Sequence, residues 1–240
     1  MKVFNWNNIR LVLMIVLVVF LFSFTSKRNS KRKLTKAAVV FVGENSMFVK
    51  QETVNKLLIE NKSNASTIPK DKLDLNKLEQ ELDAHEMIEK ADVFVSIDGV
   101  LTAVVKQKTP IARVFDRKGS FYVDSEGNTM PLSANFTARV PLVSGEINKK
   151  KNKDLFKLFK IIYDDAFLRK NIIGIQIMPN GSLLMFNRNY NYHIDFGSLI
   201  NVERKFKNYK AFFQKVSLDS SLYKYKKIDL RFTEQVVCTK

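Results

Sequence analysis

The chain has 240 residues, 45% of them hydrophobic, with a formal net charge of +16 and a single cysteine. This length allows two small domains and a membrane segment, and one cysteine excludes an intrachain disulfide or a cysteine-built metal site. The charge is uneven: residues 1–36 carry +8, residues 37–145 carry −2 and residues 146–240 carry +10. Basic ends suit lipid head groups, nucleic acid, an acidic partner or anionic wall polymers, and charge alone does not choose among them.

The first element is an uncharged apolar run from Leu11 to Ser26, which as a helix covers roughly 24 Å. With one more apolar residue and snorkelling basic side chains at its ends, it predicts a transmembrane helix over residues 9–26 after a cytoplasmic tail at residues 1–8. A cleaved signal peptide is the alternative, but no A-x-A pattern follows the run.

A basic linker at residues 27–36 follows this helix. The positive-inside rule would keep the domain after it in the cytoplasm, whereas long domains can translocate largely regardless of flanking charge. Orientation is therefore not decided by the charges.

Residues 37–108 predict a small β-α-α-β-β domain with two amphipathic helices on one three-stranded sheet. The helices follow from i, i+3, i+4 apolar spacing, with Asp74 as the N-cap of the second, and the strands from runs of β-branched residues. Asp98-Gly99 predicts a two-residue hairpin turn. The predicted strands are Ala37–Val42, Val93–Ile97 and Val100–Val105. The apolar positions of the two predicted helices are Val54, Leu57 and Leu58, then Leu75, Leu78 and Leu82.

Residues 109–240 predict a mostly antiparallel β domain with flanking helices, because strand and turn signals alternate along them. The predicted fold class of the chain is therefore α+β. The turns are predicted at Asp124–Gly127 and at Pro179-Asn180-Gly181, which contains the strong Asn-Gly hairpin signal. The predicted strands before the terminal region are Ile111–Phe115, Phe121–Val123, Ala138–Val143, Ile173–Met178 and Leu183–Phe186.

Two amphipathic helices are predicted within this domain, and their apolar and aromatic stripes are expected to face the core. In the second helix, basic side chains are expected to lie largely away from the stripe, as a solvated face rather than a lipid-binding one. The stripes are Leu155, Phe156, Leu158, Phe159 and Ile162, then Leu199, Val202, Phe206, Tyr209 and Phe213; the basic set is Arg204, Lys205, Lys207, Lys210 and Lys215.

A terminal strand is predicted over Ile228–Phe232, where apolar and charged residues alternate, followed by Thr233–Val237. A strand at a sheet edge has unpaired N–H and C=O groups that can accept a partner strand. The alternative is a strand fully paired within its own sheet. Arg231 could meet an acidic partner residue, stay solvated or pair with Glu234.

Catalysis is not indicated by any motif. The two histidines, His85 and His193, fall in different predicted domains, and the adjacent Asp164 and Asp165 diverge on a helix. No Walker A, G-x-G-x-x-G or G-x-S-x-G stretch occurs. We therefore expect no catalytic, cofactor or metal site, and no nucleic-acid binding, since the aromatic residues fall on apolar faces that a core needs.

Several stretches coincide in order with one known family. The N-terminal anchor, LEQELDAHEMIEKADVFVSIDGVLTAVVKQKTPIARVF, GSFYVDSEGNTMPL, TARVPLVSG and YKKIDLRF together resemble the FtsQ/DivIB cell-division family. The β-α-α-β-β unit is similar to a POTRA docking domain. A POTRA-containing envelope-assembly or secretion protein is the alternative.

The resemblance implies a single-pass protein of the cell (inner) membrane at the division septum, with an extracytoplasmic or periplasmic POTRA domain and β domain. It implies the partners FtsB and FtsL, or DivIC, and a link to the septal wall synthase complex. It also implies that the last strand pairs with FtsB. The residues expected to bind are Ile228, Asp229, Leu230, Arg231, Phe232, Thr233, Val236 and Val237.

Overall fold

The computed structural model describes residues 6–30, 33–43, 48–59, 73–116, 119–145, 152–218 and 221–240. The chain divides into two compact units, residues 1–107 and residues 108–240. Both units combine helices with a sheet, which confirms the predicted α+β class. The polar stretch NKSNAST and Pro69, which the sequence indicates as the end of the first helix of residues 37–108, lie outside the described residues.

The N-terminal helix α1 spans Trp6–Ser30, and its side chains are exposed along the apolar run. Its length and hydropathy over Trp6–Asn29 suit a membrane crossing. It fits a single-pass membrane anchor. The helix is longer than the predicted span of residues 9–26, because no helix breaker follows Ser26 and the first basic residues of the linker continue the turn.

The first unit has the predicted β-α-α-β-β order around a three-stranded sheet. Strand β1 is parallel to β3, whereas β2 is antiparallel to β3, so β3 lies in the centre. Both helices bury one face on this sheet, with Val54, Leu58 and Leu82 at most 1% exposed. The elements are β1 Lys36–Val42, α2 Gln51–Ile59, α3 Leu75–Asp83, β2 Ile88–Val95 and β3 Val100–Gln107.

Local signals in this unit act largely as predicted. The Asp74 carboxylate caps α3 by accepting from the N–H of Lys77 at 3.1 Å. The hairpin turn, however, has four residues, Ser96–Gly99, because the N–H of Gly99 (φ +80°) donates to the carbonyl of Ser96 at 3.1 Å. Ile97 thus lies in the turn rather than in β2 and is 83% exposed.

The second unit contains a nine-stranded sheet in the order β12-β11-β10-β9-β8-β7-β4-β5-β6. Five of its eight described strand pairings are antiparallel, which confirms the predicted character of the sheet. The strands are β4 Pro110–Asp116, β5 Gly119–Asp124, β6 Thr129–Met130, β7 Leu142–Ser144, β8 Ile172–Ile177, β9 Leu183–Asn187, β10 His193–Gly197, β11 Lys227–Asp229 and β12 Val237–Thr239.

Among the described residues of this unit, three α-helices and a 3₁₀ helix accompany the sheet. Both predicted helices form and their stripes face the core, with Phe206 and Tyr209 buried. A third, short helix was missed, and only the last part of the predicted strand Ala138–Val143 pairs in the sheet. The helices are α4 Asn152–Asp164, α5 Ala166–Asn171, α6 Val202–Leu218 and the 3₁₀ helix Ser221–Lys224.

Candidate functional site

The strand β12 forms one edge of the nine-stranded sheet. It pairs antiparallel with β11, with Val237 opposite Asp229 and Thr239 opposite Lys227. Among the described residues no strand pairs with its other side. We call the strand Val237–Thr239 together with the preceding loop, residues 230–236, the β12 edge.

The structure corrects the prediction that Ile228–Phe232 is the terminal edge strand. Strand β11 ends at Asp229 and lies between β10, to which it is parallel, and β12. Its backbone is therefore paired on both sides and cannot accept another strand. The physical reason is burial: Ile228 and Leu230 are at most 1% exposed, and the N–H of Leu230 donates to the carbonyl of Asp195 at 2.9 Å.

A charged cluster holds the turn after β11. The Asp229 carboxylate, 5% exposed, accepts from the backbone N–H of Arg231 at 3.0 Å, and its Oδ2 lies 2.5 Å from Arg231 Nη2. Asp195 lies beside it on β10, with Oδ2 at 3.1 Å from Lys227 Nζ. The hydrogen bond from Arg231 lowers the pKa of Asp229 and outweighs burial, which acts in the opposite direction.

Arg231 therefore folds back onto its own sheet. Gly197 (φ +69°) makes room for it, because a Cβ there would lie 2.7 Å from Arg231 Cγ. The considered pairing of Arg231 with Glu234 is wrong: Glu234 lies 2.6 Å from Arg204 on α6. Arg231 organises the loop before β12, and 52% of its side chain stays exposed.

Lys205 on α6 is buried and interacts with Asp195 and Asp229 of this cluster, although the sequence pattern predicted that it lies on the solvated side of α6. It is 3% exposed, and its Nζ donates to the carbonyls of Phe196 at 2.9 Å and Ser198 at 2.8 Å. Burial lowers its pKa, while Asp195 and Asp229 act in the opposite direction. The spacing of Lys205 from Val202 and Tyr209, three and four residues, was the signal that places it on the apolar face.

The loop before β12 is tied to α6 while some of its side chains remain exposed. The carbonyl of Thr233 accepts from Asn208 Nδ2 at 2.8 Å. Phe232 is 49% exposed and Val237 41%, whereas Val236 is half-buried and packs against the core. The β12 edge thus combines a free strand side with two accessible apolar side chains.

The histidines and the Asp164-Asp165 pair, from which no catalytic site is predicted, lie apart from the β12 edge in sequence and take part in local contacts. His85 Nδ1 accepts from the N–H of Met87 at 3.2 Å, and His193 begins β10. Asp165 caps α5 and pairs with Lys210; burial raises its pKa, but the bonds from Lys210 and the α5 backbone outweigh this and lower it. The part of the chain that the structure describes has no group of three His, Cys, Asp or Glu placed to hold a metal.

Comparison with known proteins adds to this geometry. The model of the family "FtsQ/DivIB, C-terminal related" matches residues 109–239, more than half of the chain. The cell division protein FtsQ of Salinibacter ruber (strain DSM 13855 / M31) is 27% identical over 155 residues, which cover 59% of this chain and 60% of that protein. The major extracytoplasmic domain of DivIB from Geobacillus stearothermophilus matches with 14% identity and a TM-score of 0.35, covering 47% of this chain and 96% of that one. The chain thus spans about three fifths of the curated relative.

Proposed function

Because this chain belongs to the FtsQ/DivIB family and so acts in cell division, we propose that it is a non-catalytic scaffold whose β12 edge binds a strand of an FtsB-type partner. In this proposal α1 anchors the protein in the cell membrane, and the part of the first unit that follows α1 lies outside the cytoplasm at the division septum together with the second unit. The FtsB and FtsL, or DivIC, proteins are its partners there. Through them the scaffold links the division machinery to septal wall synthesis.

The observation that carries the proposal is the one-sided pairing of β12. A strand added to its free side gains backbone hydrogen bonds and continues the sheet, while alternate side chains provide selectivity. Cys238 faces Ile228 in the ladder, and Val237 lies opposite Asp229. An added strand would therefore pair with β12, and the two strands beyond β12, β11 and β10, are already held together by the charged cluster around Asp229.

The predicted binding residues have different parts in this proposal. Ile228, Asp229 and Leu230 form the support, Arg231 positions the loop, and Thr233 and Val236 hold it against α6 and the core. In this proposal the exposed side chains of Phe232 and Val237 and the backbone of β12 contact the partner strand directly.

In-cell photo-crosslinking tests the proposal. A photoreactive residue replaces Val237, and the matched control carries it at Thr129, an exposed residue on β6 at the opposite edge of the same sheet. We expect an adduct with the FtsB-type partner from position 237 only. Equal adducts at both positions, or none at 237 in a stable septal protein, would contradict docking at this edge.

A further inference from the structure

The chain enters the first unit beside the tip of the β2–β3 hairpin. Leu34 is 1% exposed and belongs to the core of this unit. The N–H of Thr35 donates to the carbonyl of Gly99 at 2.8 Å, and its hydroxyl donates to the carbonyl of Asp98 at 3.2 Å. The hairpin turn is therefore fixed to the residues that connect it with α1.

Only a short connection separates this turn from the anchor. Helix α1 ends at Ser30 and Leu34 is already buried, so however the residues between them are arranged, they span at most about 14 Å. The helical turn between Ser26 and Ser30 adds about 6 Å beyond the uncharged run. The polar layer of a bilayer is itself roughly 5–7 Å thick on each side. The hairpin tip is thus held within reach of the membrane surface.

The surface of the tip has the chemistry of a membrane contact. Ile97 is 83% exposed at the apex of a turn, a position where polar residues are usual. Residues 27–36 contain six basic and no acidic residues, and Lys33 and Lys36 are exposed next to the turn. Asp98 is the acidic member of the turn. The net charge is strongly positive, which favours anionic lipid head groups.

We propose that the hairpin tip is a second membrane contact, in which Ile97 enters the boundary between head groups and acyl chains. The exposed Lys33 and Lys36 beside the turn bind anionic head groups around it. An apolar side chain and adjacent basic residues are the combination by which peripheral segments bind bilayers. The contact requires α1 to span the membrane, but it does not depend on the side on which the unit lies or on partner docking at β12.

The test measures the depth of position 97 in a bilayer. The full chain with Cys238→Ser and Ile97→Cys is labelled with an environment-sensitive fluorophore and reconstituted in phosphatidylcholine and phosphatidylglycerol bilayers containing spin-labelled lipid. The matched control is Val42→Cys, an exposed residue of the same unit that is 44% accessible and lies at the end of β1 away from the turn. We expect lipid quenching at position 97 and little at position 42. Equal quenching at the two positions would overturn the proposal.

A second comparison tests the charge. Lys33→Gln and Lys36→Gln should each reduce the ratio of bilayer-bound to unbound hairpin tip, measured by quenching at position 97, by about fivefold in anionic bilayers. They should have little effect in pure phosphatidylcholine. Lys50→Gln, which follows the opposite end of β1 in the chain, is the control and should leave the quenching unchanged. Quenching that ignores both lipid charge and the lysine substitutions would overturn the proposal as stated.

Discussion

Phe232→Ala separates partner binding from folding. Phe232 is 49% exposed at the β12 edge, and a phenylalanine offers roughly 150–250 Å² of surface. Covering the accessible half removes roughly 100 Å² from water, which contributes about 2.5 kcal/mol at about 25 cal/mol per Å². That corresponds to roughly a 60-fold change in Kd.

The assay is titration of the full chain in lipid nanodiscs with the extracytoplasmic segment of the FtsB-type partner. Phe115→Ala is the matched control, because Phe115 is 58% exposed on β4, six strands away from β12 in the same sheet. We expect Phe232→Ala to weaken binding by tens of fold and Phe115→Ala to have no effect. Equal affinities for Phe232→Ala and the parent chain would refute the assignment of this side chain to the interface.

Two predictions concern the support beneath the edge. Asp229→Asn should lower the free energy of unfolding of the second unit by about 1–3 kcal/mol at pH 7. Because the pKa of Asp229 is lowered in the folded state, its contribution is present above the ordinary value near 3.8 and is lost as the pH falls through the lower folded value. Urea unfolding at several pH values should therefore show the free energies of unfolding of parent and variant converging below about pH 4. The exposed control Asp154→Asn should show no comparable loss of stability at pH 7. A difference between parent and Asp229→Asn that persists in acid would argue against the ion pair. Lys205→Met should lower the free energy of unfolding by about 2–4 kcal/mol, since it leaves two carbonyls without their donor. The control Lys207→Met, on the exposed face of α6, should change it by at most about 0.5 kcal/mol. Similar urea midpoints for the two variants would show that the buried ammonium is not needed.

The elements that could be predicted from the sequence are those with local causes. The α3 cap at Asp74, the anchor helix and the Asn180-Gly181 turn depend on residues a few positions apart, and each forms. The order of the nine strands depends instead on contacts between distant segments. The parallel pairing of β10 with β11 across α6 has no signal in either strand.

The candidate site at the β12 edge could be predicted only in part, because its position also depends on contacts between distant segments. Alternation over Ile228–Phe232 predicted a strand, and the structure buries its apolar members Ile228 and Leu230, but the pattern does not show that Asp229 is buried as well. Asp229 is buried because the sheet places Arg231 and Lys227 around it. That neutralisation arises from the fold around β10 and Gly197, and a linear pattern does not contain it. The edge consequently lies one strand later than predicted.

The parallel pairing of β1 with β3 has a consequence for how the first unit folds. The β2–β3 hairpin is local and can form early, whereas β1 must close a long loop to reach β3, which is slower. We therefore expect β1 to join last. Because β1 begins six residues after α1 ends, we expect this last folding step to join the hairpin and helices to the strand that follows the membrane anchor.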